Sequence, residues 1–151
     1  MRLHTTRIFA AAIMAAALAA GMQSCEIETS HNGDLDGFWH LTGVDTLATG
    51  GKRDLAHAKY YWAVQAKLLQ LHNRTEQPYA FFMRFEHKGD SLRVYSPYED
   101  NRAEGDIKIE NPQRLNEFGI SALDETFHVD ALNGKRMVLR GKTVTLSFRK
   151  M

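Results

Sequence analysis

The sequence predicts an all-β fold, a small barrel of eight antiparallel strands. Three observations carry that expectation. From residue 36 onward the apolar residues recur mostly at every second position, the period of a half-buried strand. Glycine-containing pairs, Gly89-Asp90, Asn133-Gly134 and Gly141-Lys142, punctuate those runs at hairpin spacing. Eight such segments in one domain-sized chain suit a closed meander, because closure leaves no strand edge exposed.

In chain order, residues 1–24 come first and read as a secretory signal peptide. Arg2 and Arg7 supply a positive end, and the uncharged run Ile8–Met22 is too short and alanine-rich for a comfortable membrane span. Ala17-Leu18-Ala19 fits cleavage by a general signal peptidase. Met22-Gln23-Ser24-Cys25 instead resembles a loose bacterial lipobox, in which the cysteine takes acyl chains. The cysteine count favours that second route. Cys25 is the only cysteine, so no internal disulfide can form, and nothing around it suggests a nucleophile with its base. Two or more acyl chains hold a protein firmly, at about 0.8 kcal/mol per buried methylene. Residues 25–35 then read as the lipidated cysteine and a short flexible tether, and residues 36–151 as the barrel.

Composition narrows the functional classes. Without Arg2 and Arg7 the 19 basic residues fall one short of the 18 acids, so no basic stripe marks a nucleic-acid partner. The barrel segment is long enough for one core and carries no internal repeat.

The strand candidates lie near 37–45, 59–65, 67–72, 79–88, 91–96, 125–130, 135–140 and 143–149. The last is the clearest: Val144, Leu146 and Phe148 alternate with Thr143, Thr145 and Ser147. In the fourth, Tyr79, Phe81, Met83 and Phe85 share a face, and Pro97 is expected to limit the fifth strand near its end. Residues 106–110 form a weaker candidate, able to replace one of the eight, with Ile107 and Ile109 on one face. Residues 113–118 fit either a helical turn or a further edge. Residues 54–72 are ambiguous. Leu55, Ala58, Trp62, Ala66 and Leu69 trace a helical stripe, whereas Tyr60, Trp62 and Val64 alternate as a strand, and Leu69 with Leu71 alternate in the opposite phase. A bulge or corner near Ala66 reconciles the two strand phases, and the flanking pattern favours strands.

Asp36-Gly37-Phe38-Trp39-His40-Leu41 resembles the Gly-x-Trp signature that opens the first strand of lipocalins. Met137-Val138-Leu139-Arg140 and Leu146-Ser147-Phe148-Arg149-Lys150 are similar to the end of lipocalin-like lipoproteins of uncertain function from Bacteroidetes-type bacteria. The resemblance spans about residues 34–150 and implies a lipid-anchored protein of the bacterial outer membrane. It implies that Trp39 closes one end of the barrel, covered by Arg149 or Arg140, and that the segment from Asp45 to His57 is the long first loop at the open end.

The residues point to no chemistry. His31, His40, His57, His72, His87 and His128 show no metal-ligand spacing, so no metal or cofactor is expected. The adjacent acids Glu99-Asp100 and Asp124-Glu125 fall near turns, and no phosphate loop or nucleophile elbow appears. No catalytic residue is named, and the protein reads as non-enzymatic. Two functions remain. In one, an envelope protein binds a small apolar ligand within the barrel, lined by Trp62, Phe81, Met83 and Phe85. In the other, the interior is packed and the protein is a structural or protein-interaction module of the envelope, with an exposed apolar or aromatic patch.

Overall fold

The structure is a computed structural model and describes residues 30–101, 103 and 105–151. The expected leader, Cys25 and the first part of the tether lie outside the described residues. Ten strands follow in order: β1 (Gly37–Thr46), β2 (Lys52–Asp54), β3 (Tyr60–Gln65), β4 (Leu68–Asn73), β5 (Tyr79–Lys88), β6 (Ser91–Glu99), β7 (Ile107–Lys108), β8 (Asp124–Leu132), β9 (Arg136–Arg140) and β10 (Val144–Lys150). Eight of them close a barrel, each antiparallel to its neighbours, in the order β1-β3-β4-β5-β6-β8-β9-β10, with β10 pairing back to β1. β2 and β7 are short additions on β1 and β6. The segment at 106–110 therefore adds to the eight strands instead of replacing one.

Alternation sets what each strand buries. Trp62 and Val64 of β3, Leu69 and Leu71 of β4, Phe81 and Met83 of β5, and Leu146 and Phe148 of β10 all point inward and are buried. Removing each such side chain from water contributes about 1.5–3 kcal/mol. The register of β1 on β10 shifts between Leu41 and Gly43, so Trp39 and Leu41 before the shift and Val44 after it all reach the core.

In the ambiguous stretch 54–72, residues 55–59 turn and the rest forms strands, and the phase change is a reversal of direction. Gln65 pairs with Leu68 across a tight turn at Ala66-Lys67, with Ala66 at φ 51°. Pro97 does not end its strand. Ser96 and Pro97 together oppose Met83, a bulge with Ser96 at φ 52°, and β6 continues to Glu99. A bulge is a place where a strand tolerates proline, since the ladder is interrupted there anyway. Ile107 and Ile109 do not share a face, for Ile107 is 42% exposed and Ile109 is buried. Residues 112–118 form a 3-10 helix, started by Asn111 accepting from Gln113 N–H and stopped by Gly119 in the left-handed region.

The barrel has two unlike ends. At the closed end lie the tight turns after β3, β5 and β8, the end of β10 and the entry to β1. At the mouth lie the longer segments 47–59, 74–78 and 100–123. The last of these folds over the opening. Its Ile109, Leu115, Phe118 and Ile120 are buried in the same core as the strands.

Candidate functional site

At the closed end, Gly37 stands at φ +129°, and a Cβ there would lie 2.6 Å from Lys150 Cε. This lets β1 begin against β10 and places Trp39 wholly inside, its Nε1 donating to Leu35 O at 2.9 Å. A cation does sit over the Trp39 ring, but it is Lys150, 4.9 Å from the centroid. Arg149 is exposed on the outer face opposite His40 and Arg136, and Arg140 is paired outside with Asp130. Strand parity explains the correction. Phe148 points inward, so Lys150 follows it to the inner side and Arg149 must point out.

The slack expected through Leu35 is absent in residues 30–35. Leu35 is buried in a 3-10 turn, and the Asn32 side chain donates to Ala66 O at 2.8 Å and to Asp36. Ser30 donates to Asp36 and accepts from Ala66 N–H at 2.7 Å. Burial pushes the Asp36 carboxyl up, but the donors from Ser30 and Asn32, with Lys150 nearby, outweigh it and hold it below the ordinary carboxylate value.

The four expected lining residues do not form one pocket wall. Trp62 and Met83 have no accessible surface, which leaves no water-sized void against them. Trp62 Nε1 donates to Phe118 O at 3.2 Å, tying the mouth segment to the centre of the barrel. Phe81 is packed edge-on against Phe118, at 6.0 Å between centroids, and borders a mouth cleft with Tyr79, Glu99 and Arg114. Phe85 is half-buried and borders a small recess at the closed end with His31, Lys67 and His87.

The more apolar opening at the mouth has a volume of about 400 Å³. Val44, Ile120 and Val144 are its apolar side chains, and Thr46, Lys52, Arg53, Asn116 and Ser121 are its polar members. No period-two signal marks it, because it lies between strand ends and the 3-10 segment. The segment itself is clamped. Glu117 accepts from Tyr79 and Asn73, its carbonyl accepts from Arg53, and Arg114 pairs with Glu99 at 2.8 Å. Glu125, a buried carboxylate, accepts from the N–H groups of Ser121 and Ala122. Burial pushes the Tyr79 phenol up to about 12; the Asn73 side chain opposes it, and Glu117 adds to it.

Outside the barrel, Phe38 and Tyr61 stack at 4.8 Å with Arg74 over both rings, and His72 meets Phe38 edge-on. Phe82 and Tyr98 form a second stack at 5.6 Å. His40, on the same outer side as Tyr61, is buried against Ala58 O at 2.7 Å. Among the described residues, no group of three or more His, Cys, Asp or Glu is placed to hold a metal ion.

A family model described as a lipocalin-like domain matches residues 18–151. A crystallised lipocalin-like protein from Bacteroides uniformis is similar in fold, with 19% identity and a TM-score of 0.61 over 79% of this chain and 100% of that one. An uncharacterised protein from Bacteroides eggerthii is similar at 18% identity and a TM-score of 0.58, over 77% of this chain and 98% of that one. No curated protein matches.

Proposed function

The chain belongs to the lipocalin-like domain family, and from that footing we propose that it is a non-enzymatic, lipid-anchored protein of the bacterial outer membrane that takes a small, largely apolar ligand at the mouth of its barrel. The observation that carries the binding reading is the cleft of about 400 Å³ lined in part by Val44, Ile120 and Val144. Its volume falls in the range of about 300–1,000 Å³ usual for small-molecule sites, and three apolar side chains are joined there by five polar or charged ones that can fix orientation. Leu47, 49% exposed, stands in the loop beside it, its N–H bonded to Thr143 O. The ligand site thus moves from Trp62, Phe81, Met83 and Phe85, which serve mainly as core, to the rim above them. A long-chain fatty acid carrying a fluorophore is a suitable probe. Saturable binding that disappears in Val144→Trp, with the thermal transition kept, supports the reading. Equal binding by Val144→Trp would sink it.

The anchor rests on the signal-like run ending at Cys25, the only cysteine. Mass spectrometry of the mature N-terminus tests it, and an unmodified cysteine would remove it.

A second reading, a protein-interaction module with a packed interior, is favoured by the outer aromatic stacks of Phe38 with Tyr61 and Phe82 with Tyr98. It predicts that Tyr61→Ser and Phe82→Ser abolish association with an envelope partner while leaving fatty-acid binding intact.

A further inference from the structure

We infer that the closed end of the barrel docks on a lipid surface bearing anionic headgroups, so that the mouth faces away from the membrane. The inference rests on the anchored reading for its biological setting, but the docking surface is argued from the barrel itself. Each of the three hairpins at the closed end carries an exposed lysine: Lys67 after β3, Lys88 at the end of β5 and Lys135 before β9. Arg136 and Arg149 stand directly opposite each other on neighbouring strands beside them, both exposed. Like charges in that position repel. Among the described residues none of these five cations has a carboxylate partner. By contrast three arginines elsewhere are neutralised, Arg93 by Asp124 at 2.6 Å, Arg114 by Glu99 at 2.8 Å and Arg140 by Asp130 at 2.8 Å. The acids among the closed-end cations are Asp34, Asp36 and Asp90, and the stretch between Cys25 and Ser30 adds Glu26 and Glu28. Asp36 is already held by Ser30 and Asn32. Six cations, Lys150 included, stand against these five acids, so the balance at this end remains positive by one charge.

The length of chain beyond the described barrel fits the same surface. Ser30 is fastened to the closed end through Ala66 and Asp36. Cys25 precedes it by only five residues. A fully extended stretch of that length spans about 17 Å at most. An acylated Cys25 therefore keeps Lys67, Lys88 and Lys135 close to the headgroups, where each cation on an anionic surface adds roughly fivefold to binding. A tether leaving from the mouth would instead hold that face to the membrane.

The test uses residues 25–151 carrying Cys25→Ser, so that neither the leader nor acylation contributes. Flotation with phosphatidylcholine vesicles is compared with flotation on vesicles that also contain phosphatidylglycerol, across a salt series. The anionic lipid is expected to strengthen binding by at least about tenfold at low salt, and the gain should fade as salt is added. Lys67→Glu with Lys88→Glu and Lys135→Glu should abolish that gain. Lys59→Glu with Lys108→Glu and Lys142→Glu, three equivalent changes at the mouth, should keep most of it. No preference for the anionic vesicles, or equal loss in the two triple variants, would overturn the docking surface. An unmodified Cys25 in the native protein would instead overturn the anchor and leave the charge preference standing.

Discussion

Gly37 shows how one residue couples local backbone to long-range packing. Its φ of +129° is accessible to glycine and strained for other residues, and the chain needs it so that β1 can start under the Lys150 side chain. Gly37→Ala should cost roughly 1–3 kcal/mol in denaturant unfolding, because the strain persists even after the mobile end of Lys150 gives way. A cost under about 0.5 kcal/mol would show that β1 can begin in another conformation. Asp36, one residue earlier, makes a pH-dependent contribution. Its folded carboxyl lies below its ordinary value of 3.8. Stability from such a group is fully present above that value and is lost as pH falls through the lower folded one. The 30–36 strap should therefore loosen below about pH 4. Amide exchange at Asn32 and Ala66 would report this, with Asp36→Asn showing a flat profile. The same profile in both proteins would remove Asp36 from the account.

At the scale of the element, the 105–123 segment decides what the barrel can hold. Phe118 meets Tyr60, Tyr79 and Phe81 edge-on, and its carbonyl accepts from Trp62. Phe118→Ala should destabilise by about 3–5 kcal/mol. It should also admit a small apolar dye into the vacated space, measured by fluorescence. A smaller stability loss with no dye binding would mean the walls collapse inward to fill the space. The clamp from Tyr79 to Glu117 adds a high-pH limit. A phenol raised to about 12 contributes stability that is complete below its ordinary value of 10.0 and is lost as pH rises through 12. This segment is also where sequence reading reached least. The strands were legible because one face of each is buried and period two reports that directly. Residues 105–123 have no such period, and the burial of Ile109, Leu115 and Phe118 is set by strands distant in sequence. The cleft inherits that difficulty, being part strand end and part 3-10 helix. Two misreadings had signals that were present. Ser96-Pro97 could be read as a bulge once β6 is seen to resume, and the parity of Leu146 and Phe148 already assigns Lys150, not Arg149, to the inside.

The whole molecule depends on a closure made late in the sequence. β10 pairs with β1 across nearly the full length of the described chain, from Trp39 with Lys150 to Thr46 with Val144. Side chains reinforce it: Thr42 Oγ1 donates to Ser147 O at 3.0 Å and Lys150 Nζ to Asp34 O at 2.9 Å. Met151 N–H donates to Phe38 O and extends the seam past Lys150. Removing β10 would delete Leu146 and Phe148 from the core and leave β1 and β9 as two open edges. Unpaired edges template association with other chains. Deletion of residues 143–151 should therefore abolish the cooperative thermal transition and produce concentration-dependent aggregation. Leu146→Ala isolates the packing part, because it keeps both edges paired. It should lower stability by about 2–5 kcal/mol while the protein stays monomeric and cooperative. If the deletion behaved like Leu146→Ala, monomeric with only a lowered transition, the strands would be stable as an open sheet. Closure would then be a consequence of the fold and not a condition for it.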